Sequence, residues 1–175
     1  MQAKQEMRTY VKAKLTEMKS QQILHSSEKI IQQLMPMIDQ YQVWSVFLPM
    51  KSEPQIQQFI DLLLARGKTV IVPQVDVNIL EPFLYTTDVK IRRWKLGEPT
   101  IQDPIPYLGA VDIILVPGLA FTSDGNRLGR GYGYYDTFLA QHTKVKKIWL
   151  CFTCQLVDDI PMSEHDMSVD GIVLG

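Results

Sequence analysis

The sequence predicts an α/β protein built on an open, largely parallel sheet flanked by helices. Three observations carry that expectation. Short apolar runs rich in β-branched and aromatic residues alternate with segments of helical period. One such run, "VDIILVPG" (111–118), leads through a glycine-rich stretch into a new helical pattern. No internal repeat or low-complexity linker divides the 175 residues, so one domain over 1–175 is expected.

The elements follow in order. Met7, Val11, Leu15 and Met18 recur at helical spacing and give an N-terminal amphipathic helix. Ser20 is placed to cap a second helix with Ile23, Ser27, Ile30, Ile31 and Leu34 facing inward, ending near Pro36. The period then changes, and "VWSVFLP" (43–49) reads as a buried strand. Pro54 marks the expected start of a third helix, with Ile56, Phe59, Ile60 and Leu63 inward and Gly67 at its C-terminal cap. "TVIVPQ" (69–74) completes a strand–helix–strand unit. "ILEPFLYT" (79–86) reads as a strand edged or interrupted by Pro82, and 97–110 as a loop. After the glycine-rich stretch, "YYDTFLAQH" is helical, "KIWLCF" (147–152) is a strand, and "GIVL" closes the sheet.

Composition narrows the function classes. Hydrophobic content of 46%, charged content of 21% and a net charge of −1 describe an ordinary globular chain. They give no general attraction to nucleic acid or to a membrane surface. The charged N-terminus lacks the apolar core of a signal peptide, and no apolar run approaches the roughly 20 residues of a membrane span. A cytoplasmic monomer is the expectation. Cys151 and Cys154 form a C-x-x-C at a strand end, without the second pair a zinc site needs; they read as structural or incidental.

"GNRLGRGYGYYD" (125–136) is the segment that periodicity does not explain. It lies between a buried strand and a helix, where ligands bind in open α/β sheets. Gly129, Gly131 and Gly133 can expose successive backbone N–H groups, and the helix N-terminus adds its own. Arg127 and Arg130 bring forked donors suited to phosphate oxygens. The guest this pattern suits is a polyphosphate, although a flexible connector with incidental arginines has the same composition. It is neither a Walker A loop nor a dinucleotide fingerprint, because the three glycines stand two apart and no Gly-Lys-Ser/Thr follows. Asp136 falls in the first helical turn. There a carboxylate either complements the helix dipole or, beside a bound triphosphate, helps hold Mg2+. Tyr134 and Tyr135 are placed to stack or simply to pack. Lys4 and Arg8, four apart, share a helix face that is equally compatible with plain solvation. Glu53 before Pro54 suits a helix start, and His165 reads as a polar loop residue.

"VPGLAFTSDGNRLGRGYGYYDTFL" resembles the signature of the 5-formyltetrahydrofolate cyclo-ligases (methenyltetrahydrofolate synthetases). "AKQEMR" (3–8), "FLPMKSEP" (47–54), "GEP" (97–99) and "FTCQLVDDIPMSEHDMSVDGIV" extend the likeness from end to end. The resemblance implies a fold akin to the ribose-phosphate isomerase and CoA-transferase group. It also implies ATP- and Mg2+-dependent conversion of 5-formyltetrahydrofolate, with or without a polyglutamate tail, to 5,10-methenyltetrahydrofolate, ADP and phosphate. By position it assigns ATP contacts to Lys4, Arg8 and the run Arg127, Leu128, Gly129, Arg130, Gly131, Tyr132, Gly133, Tyr134 and Tyr135. Arg130 through Tyr134 also fall near the folate, with Leu48, Glu53 and Trp94, and Asp136 and Asp166 match metal ligands. Arg130 and Asp136 are the residues expected to act in catalysis. Tyr132 departs from the pattern, since many members carry Lys or Gly between these two glycines. The competing readings are a non-catalytic nucleotide or sugar-phosphate sensor and an ATP-dependent enzyme acting on another N-formyl compound.

Overall fold

A computed structural model describes residues 2–77, 79–93 and 98–175. Two helices open the chain, α1 (Gln2–Glu17) and α2 (Ser20–Leu34), followed by a 3-10 helix at Met35–Gln40. Strand β1 (Val43–Ser45), helix α3 (Gln57–Ala65) and strand β2 (Thr69–Asp76) form the expected unit, with β1 and β2 parallel. Next come β3 (Ile79–Tyr85), β4 (Ile91–Arg93), β5 (Pro99–Ile101) and β6 (Ile113–Val116). The remainder is β7 (Ala120–Phe121), β8 (Arg127–Leu128), α4 (Tyr134–Gln141), β9 (Lys146–Cys151) and β10 (Gly171–Leu174).

The main sheet runs β10-β9-β6-β1-β2-β3. Its first five strands are mutually parallel, and β3 joins antiparallel at the edge. Pro82 lies in this edge strand opposite Pro73, where a missing N–H is tolerated. Two-residue alternation sorts the buried side chains between the faces. Val70, Val72, Ile113 and Leu115 pack with the inner faces of α1, α2 and α3. Ile71, Ile114 and Val116 pack with Phe138 and Leu139 of α4. No helix among the described residues is long and apolar enough to cross a membrane.

Four local expectations are corrected. Ser20 is the first helical residue rather than the cap; the cap is Lys19, whose N–H donates to Gln22 Oε1 at 2.8 Å. The "VWSVFLP" run forms ladder pairs only over Val43–Ser45, and its remainder turns toward the glycine-rich segment's side of the sheet. Helix α3 begins at Gln57, not at Pro54. The delay has a local cause: Gln55 donates to the carbonyls of Met50 and Glu53, while its own N–H bonds Ser27 Oγ at 2.8 Å. The stretch 97–110 is not all loop, because β5 pairs with β4 there. Gly67 follows α3 with φ +68°, as the C-terminal cap position requires.

The order of connection places the ligand edge. From β1 the chain moves outward to β2 and β3, then returns to the opposite side of β1 to lay down β6, β9 and β10. The direction reverses between β1 and β6, and ligands in open sheets collect outside the C-terminal ends of such strands.

Candidate functional site

A cavity of about 440 Å³ opens at that reversal, within the range of small-molecule sites. Phe47 and Leu48 after β1 and Pro117 and Gly118 after β6 line it. So do Val72 and Gln74 of β2, Leu80 of β3, and Pro99 and Thr100 of β5. The glycine-rich segment forms its other end, from Arg127 to Asp136. Gln74, Pro99 and Thr100 escaped the sequence reading because strand pairing, not a local motif, brings them there.

Chain geometry explains why this end is open to an anion. Gly131 and Gly133 have φ of +110° and +72°, conformations that side-chain-bearing residues rarely adopt. A Cβ on Gly131 would also sit 3.4 Å from Arg8 Cζ. Gly133 is the residue before α4 and supplies no side-chain cap, so the first N–H groups of the helix lack a capping partner. Tyr134, Tyr135 and Asp136 of that first turn line the cavity.

Charged residues from four segments converge here. Arg8 of α1 donates from Nε to the Gly129 carbonyl at 3.0 Å. Lys4 of α1 pairs with Asp166, which also accepts from Ser163 N–H at 2.6 Å and Ser163 Oγ at 2.8 Å. Burial pushes the Asp166 carboxyl up, but the Lys4 and Ser163 hydrogen bonds outweigh it and hold the group below its ordinary value. Arg127 pairs with Asp136, whose Oδ1 also accepts from the Met167 N–H. Arg130 NH2 donates to Glu53 Oε1 at 2.6 Å, and Met50 N–H to Glu53 Oε2 at 2.9 Å. Glu53 is buried and held by these two donors.

The two arginines differ. Arg127 is only 3% exposed, with its guanidinium carbon 5.9 Å from the Tyr135 and Trp149 ring centroids. It reaches the cavity as a wall. Arg130 stays partly exposed while paired with Glu53. Burial pushes the Tyr135 phenol up, Glu53 adds to the shift and Arg127 opposes it, so the hydroxyl stays protonated at neutral pH. Tyr132 is 59% exposed and stacks on Tyr134 with centroids 5.7 Å apart.

Leu48 and Leu128 are buried, Leu48 on the cavity wall and Leu128 paired with Ala120 in the β7–β8 hairpin. Trp94 lies outside the described residues. His165 is exposed, with Nε2 3.3 Å from Glu164 Oε1. Cys151 is buried and Cys154 half-buried, both as free thiols, and Cys154 Sγ lies 3.5 Å from Met18 Sδ. Burial pushes both thiols up, against any thiolate role.

Asp136 and Asp166 are brought near each other through the Met167 N–H. Each keeps one carboxylate oxygen, Oδ2 of Asp136 and Oδ1 of Asp166, without a hydrogen bond among the described residues. No group of three or more His, Cys, Asp or Glu side chains with metal-binding geometry occurs among the described residues. Two hard oxygen donors suit a magnesium ion that completes its shell with phosphate oxygens and water.

The model of the 5-formyltetrahydrofolate cyclo-ligase family matches residues 1–175. The mouse 5-formyltetrahydrofolate cyclo-ligase is 33% identical over 189 residues, covering 98% of this chain and 93% of the relative. The Escherichia coli K12 5-formyltetrahydrofolate cyclo-ligase is 32% identical over 143 residues, with 74% and 75% covered. Among solved structures, the Aquifex aeolicus 5,10-methenyltetrahydrofolate synthetase superposes with a TM-score of 0.81 at 27% identity, over 98% of this chain and 89% of that one. The Mycoplasma pneumoniae 5,10-methenyltetrahydrofolate synthetase shares the fold with a TM-score of 0.75 at 22% identity, covering 97% of each chain. With a match along its whole length, and the glycine segment lining the cavity, the chain belongs to the 5-formyltetrahydrofolate cyclo-ligase family.

Proposed function

We propose that this protein converts 5-formyltetrahydrofolate and ATP to 5,10-methenyltetrahydrofolate, ADP and phosphate, with magnesium at Asp136 and Asp166. The observation that carries the reading is one cavity joining two chemically different ends. One end has glycine backbone, an uncapped helix N-terminus and the cations Arg127 and Arg130, with Arg8 bonded to the Gly129 carbonyl and Lys4 paired with Asp166. The other is an apolar slot with Leu48 on its wall, and the buried carboxylate of Glu53 meets the glycine end through its pair with Arg130.

The chemistry needs such a pairing. A formyl oxygen bound to an amide-like carbon is a poor leaving group. Attack by that oxygen on the γ-phosphorus of ATP forms an O–P bond and releases ADP. The N10 lone pair then attacks the activated formyl carbon; the C–O bond breaks, phosphate departs and N10 loses its proton. Alignment and charge neutralisation dominate phosphoryl transfer, so no protein nucleophile is required. Arg130 changes partner from Glu53 to the transferring phosphoryl group, and the N–H groups of Tyr134 and Tyr135 receive phosphate oxygens. Glu53 then accepts from the amide and amino donors of the pterin edge. Magnesium, when bound, neutralises charge on the phosphate oxygens.

Absorbance in the methenyl-folate band, followed with ATP and 5-formyltetrahydrofolate, tests the reading directly. Formation of the band only with both substrates present is expected, and no band would remove the assignment. Asp136→Asn tests the metal role. Turnover should drop steeply and the half-saturating Mg2+ concentration should rise, because a hard cation prefers a carboxylate. If turnover and Mg2+ dependence stay at wild-type values, Asp136 serves only Arg127 and the Met167 N–H, and the ion lies elsewhere.

A further inference from the structure

The C-terminal half of β2 contains a polar residue in a run that is otherwise apolar. Gln74 follows Val70 and Val72 on one face of the strand and is 9% exposed. Its Oε1 accepts from the Ile101 N–H of β5 at 2.9 Å, and that contact fixes which way the amide points. Nε2 has no hydrogen-bond partner among the described residues, and Gln74 lines the cavity. Holding β5 in place requires only one acceptor. The amide brings a donor as well, buried beside Val72 of the same strand face, where a hydrogen bond counts for more than in water.

We propose that Gln74 is a substrate-recognition residue whose Nε2 donates to a carbonyl oxygen of the bound folate. The inference rests on the folate reading of the cavity. The folate offers three such oxygens: the ring 4-oxo group, the N5-formyl group and the p-aminobenzoyl amide. The β5 contact gives the donor a fixed direction. Flipping the amide would turn Nε2 against the Ile101 N–H, donor against donor, so Gln74 rejects a ligand that presents a donor at this point. A position of this kind discriminates more strongly than apolar packing does.

Two substitutions separate recognition from support. Gln74→Glu keeps an acceptor for the Ile101 N–H and replaces the NH2 donor with another acceptor. Gln74→Met removes both at similar length. Conversion of 5-formyltetrahydrofolate by the wild type is measured first, and its absence overturns the folate reading and this role together. With conversion established, Gln74→Glu should weaken 5-formyltetrahydrofolate binding about tenfold or more, with ATP affinity unchanged. Binding of tetrahydrofolate, which lacks the formyl group, identifies the oxygen. An equal loss assigns a carbonyl that both ligands carry, in the ring or in the p-aminobenzoyl amide, and a loss confined to the formylated ligand assigns the formyl oxygen. Undiminished folate binding in Gln74→Glu overturns the role while leaving the proposed function intact. So does a parallel fall in ATP and folate affinity, which marks β5 displacement. Should Gln74→Glu fail to fold, Gln74→Met carries the same comparison.

Discussion

The two ends of the cavity are built by opposite means. At the glycine end, side chains far apart in sequence hold the walls together: Lys4 with Asp166, Arg130 with Glu53, and Arg8 with the Gly129 carbonyl. At the β2–β3–β5 end, a seven-pair antiparallel ladder and apolar packing do so, with the Gln74–Ile101 bond added. Ion pairs can exchange partners at small net cost, since an arriving anion replaces the carboxylate it displaces. A strand ladder has no such alternative. On the proposed reading, the glycine end suits a charged guest that comes and goes, and the ladder end suits constant shape.

That contrast is sharpest at Arg127, where charge has become part of the frame. Arg127→Ala removes a buried guanidinium from between two rings and leaves Asp136 without its partner. Unfolding free energy should fall by about 3–5 kcal/mol, read from urea denaturation. A fall below about 1 kcal/mol would place the stability of this end elsewhere. Arg130 gives the complementary case. Arg130→Ala should spare most of the stability yet lower kcat/KM by about 10- to 150-fold, the equivalent of about 1.5–3 kcal/mol from a lost charge-assisted contact. Unchanged ATP affinity and turnover would remove Arg130 from the phosphate site.

Acid separates the ends more gently. The Asp166 carboxyl is held below its ordinary value, so its contribution to stability is present above the unfolded value of about 4 and is lost as pH falls through the folded one. Urea denaturation of wild type and Lys4→Met as a function of pH reads this term. The variant should show a shallower loss below pH 4, and identical slopes would detach Lys4 from the effect. The smallest effect is expected at the cysteines. With both thiols pushed up by burial, neutral alkylation should be slow, and Cys154→Ala should leave turnover unchanged. Inactivation by thiol alkylation with the fold intact would reopen a thiol mechanism.

The glycine end was also the legible one. Its signal is dense and local, with four glycines, two arginines and three tyrosines in twelve consecutive residues. The alternation of strands and helices was equally readable, because Ile113 through Val116 form an unbroken apolar run and Phe59, Ile60 and Leu63 recur at helical spacing. What the sequence did not carry is pairing. Glu53 and Arg130 are 77 residues apart and Lys4 and Asp166 are 162 apart, and no local rule selects these partners from the other charges. Gln74 was invisible for a related reason: its place on the cavity wall follows from which strand lies beside β1. The start of α3 was misplaced because Gln55 spends its side chain on a turn, a contact that Pro54 does not announce.

Gly118 has an optical consequence. A Cβ at this position would lie 2.2 Å from the Trp149 ring, so the bare backbone lets the indole rest directly beneath the cavity floor. The same indole faces the Arg127 guanidinium at 5.9 Å, and its own N–H has no partner among the described residues. Any shift of positive charge when Arg127 and Asp136 respond to a ligand changes the electric field across that chromophore. The protein thus contains its own emission probe. Replacing Trp44, which packs on Phe59 in the opposite face's core, with Phe would simplify the spectrum without touching the cavity wall.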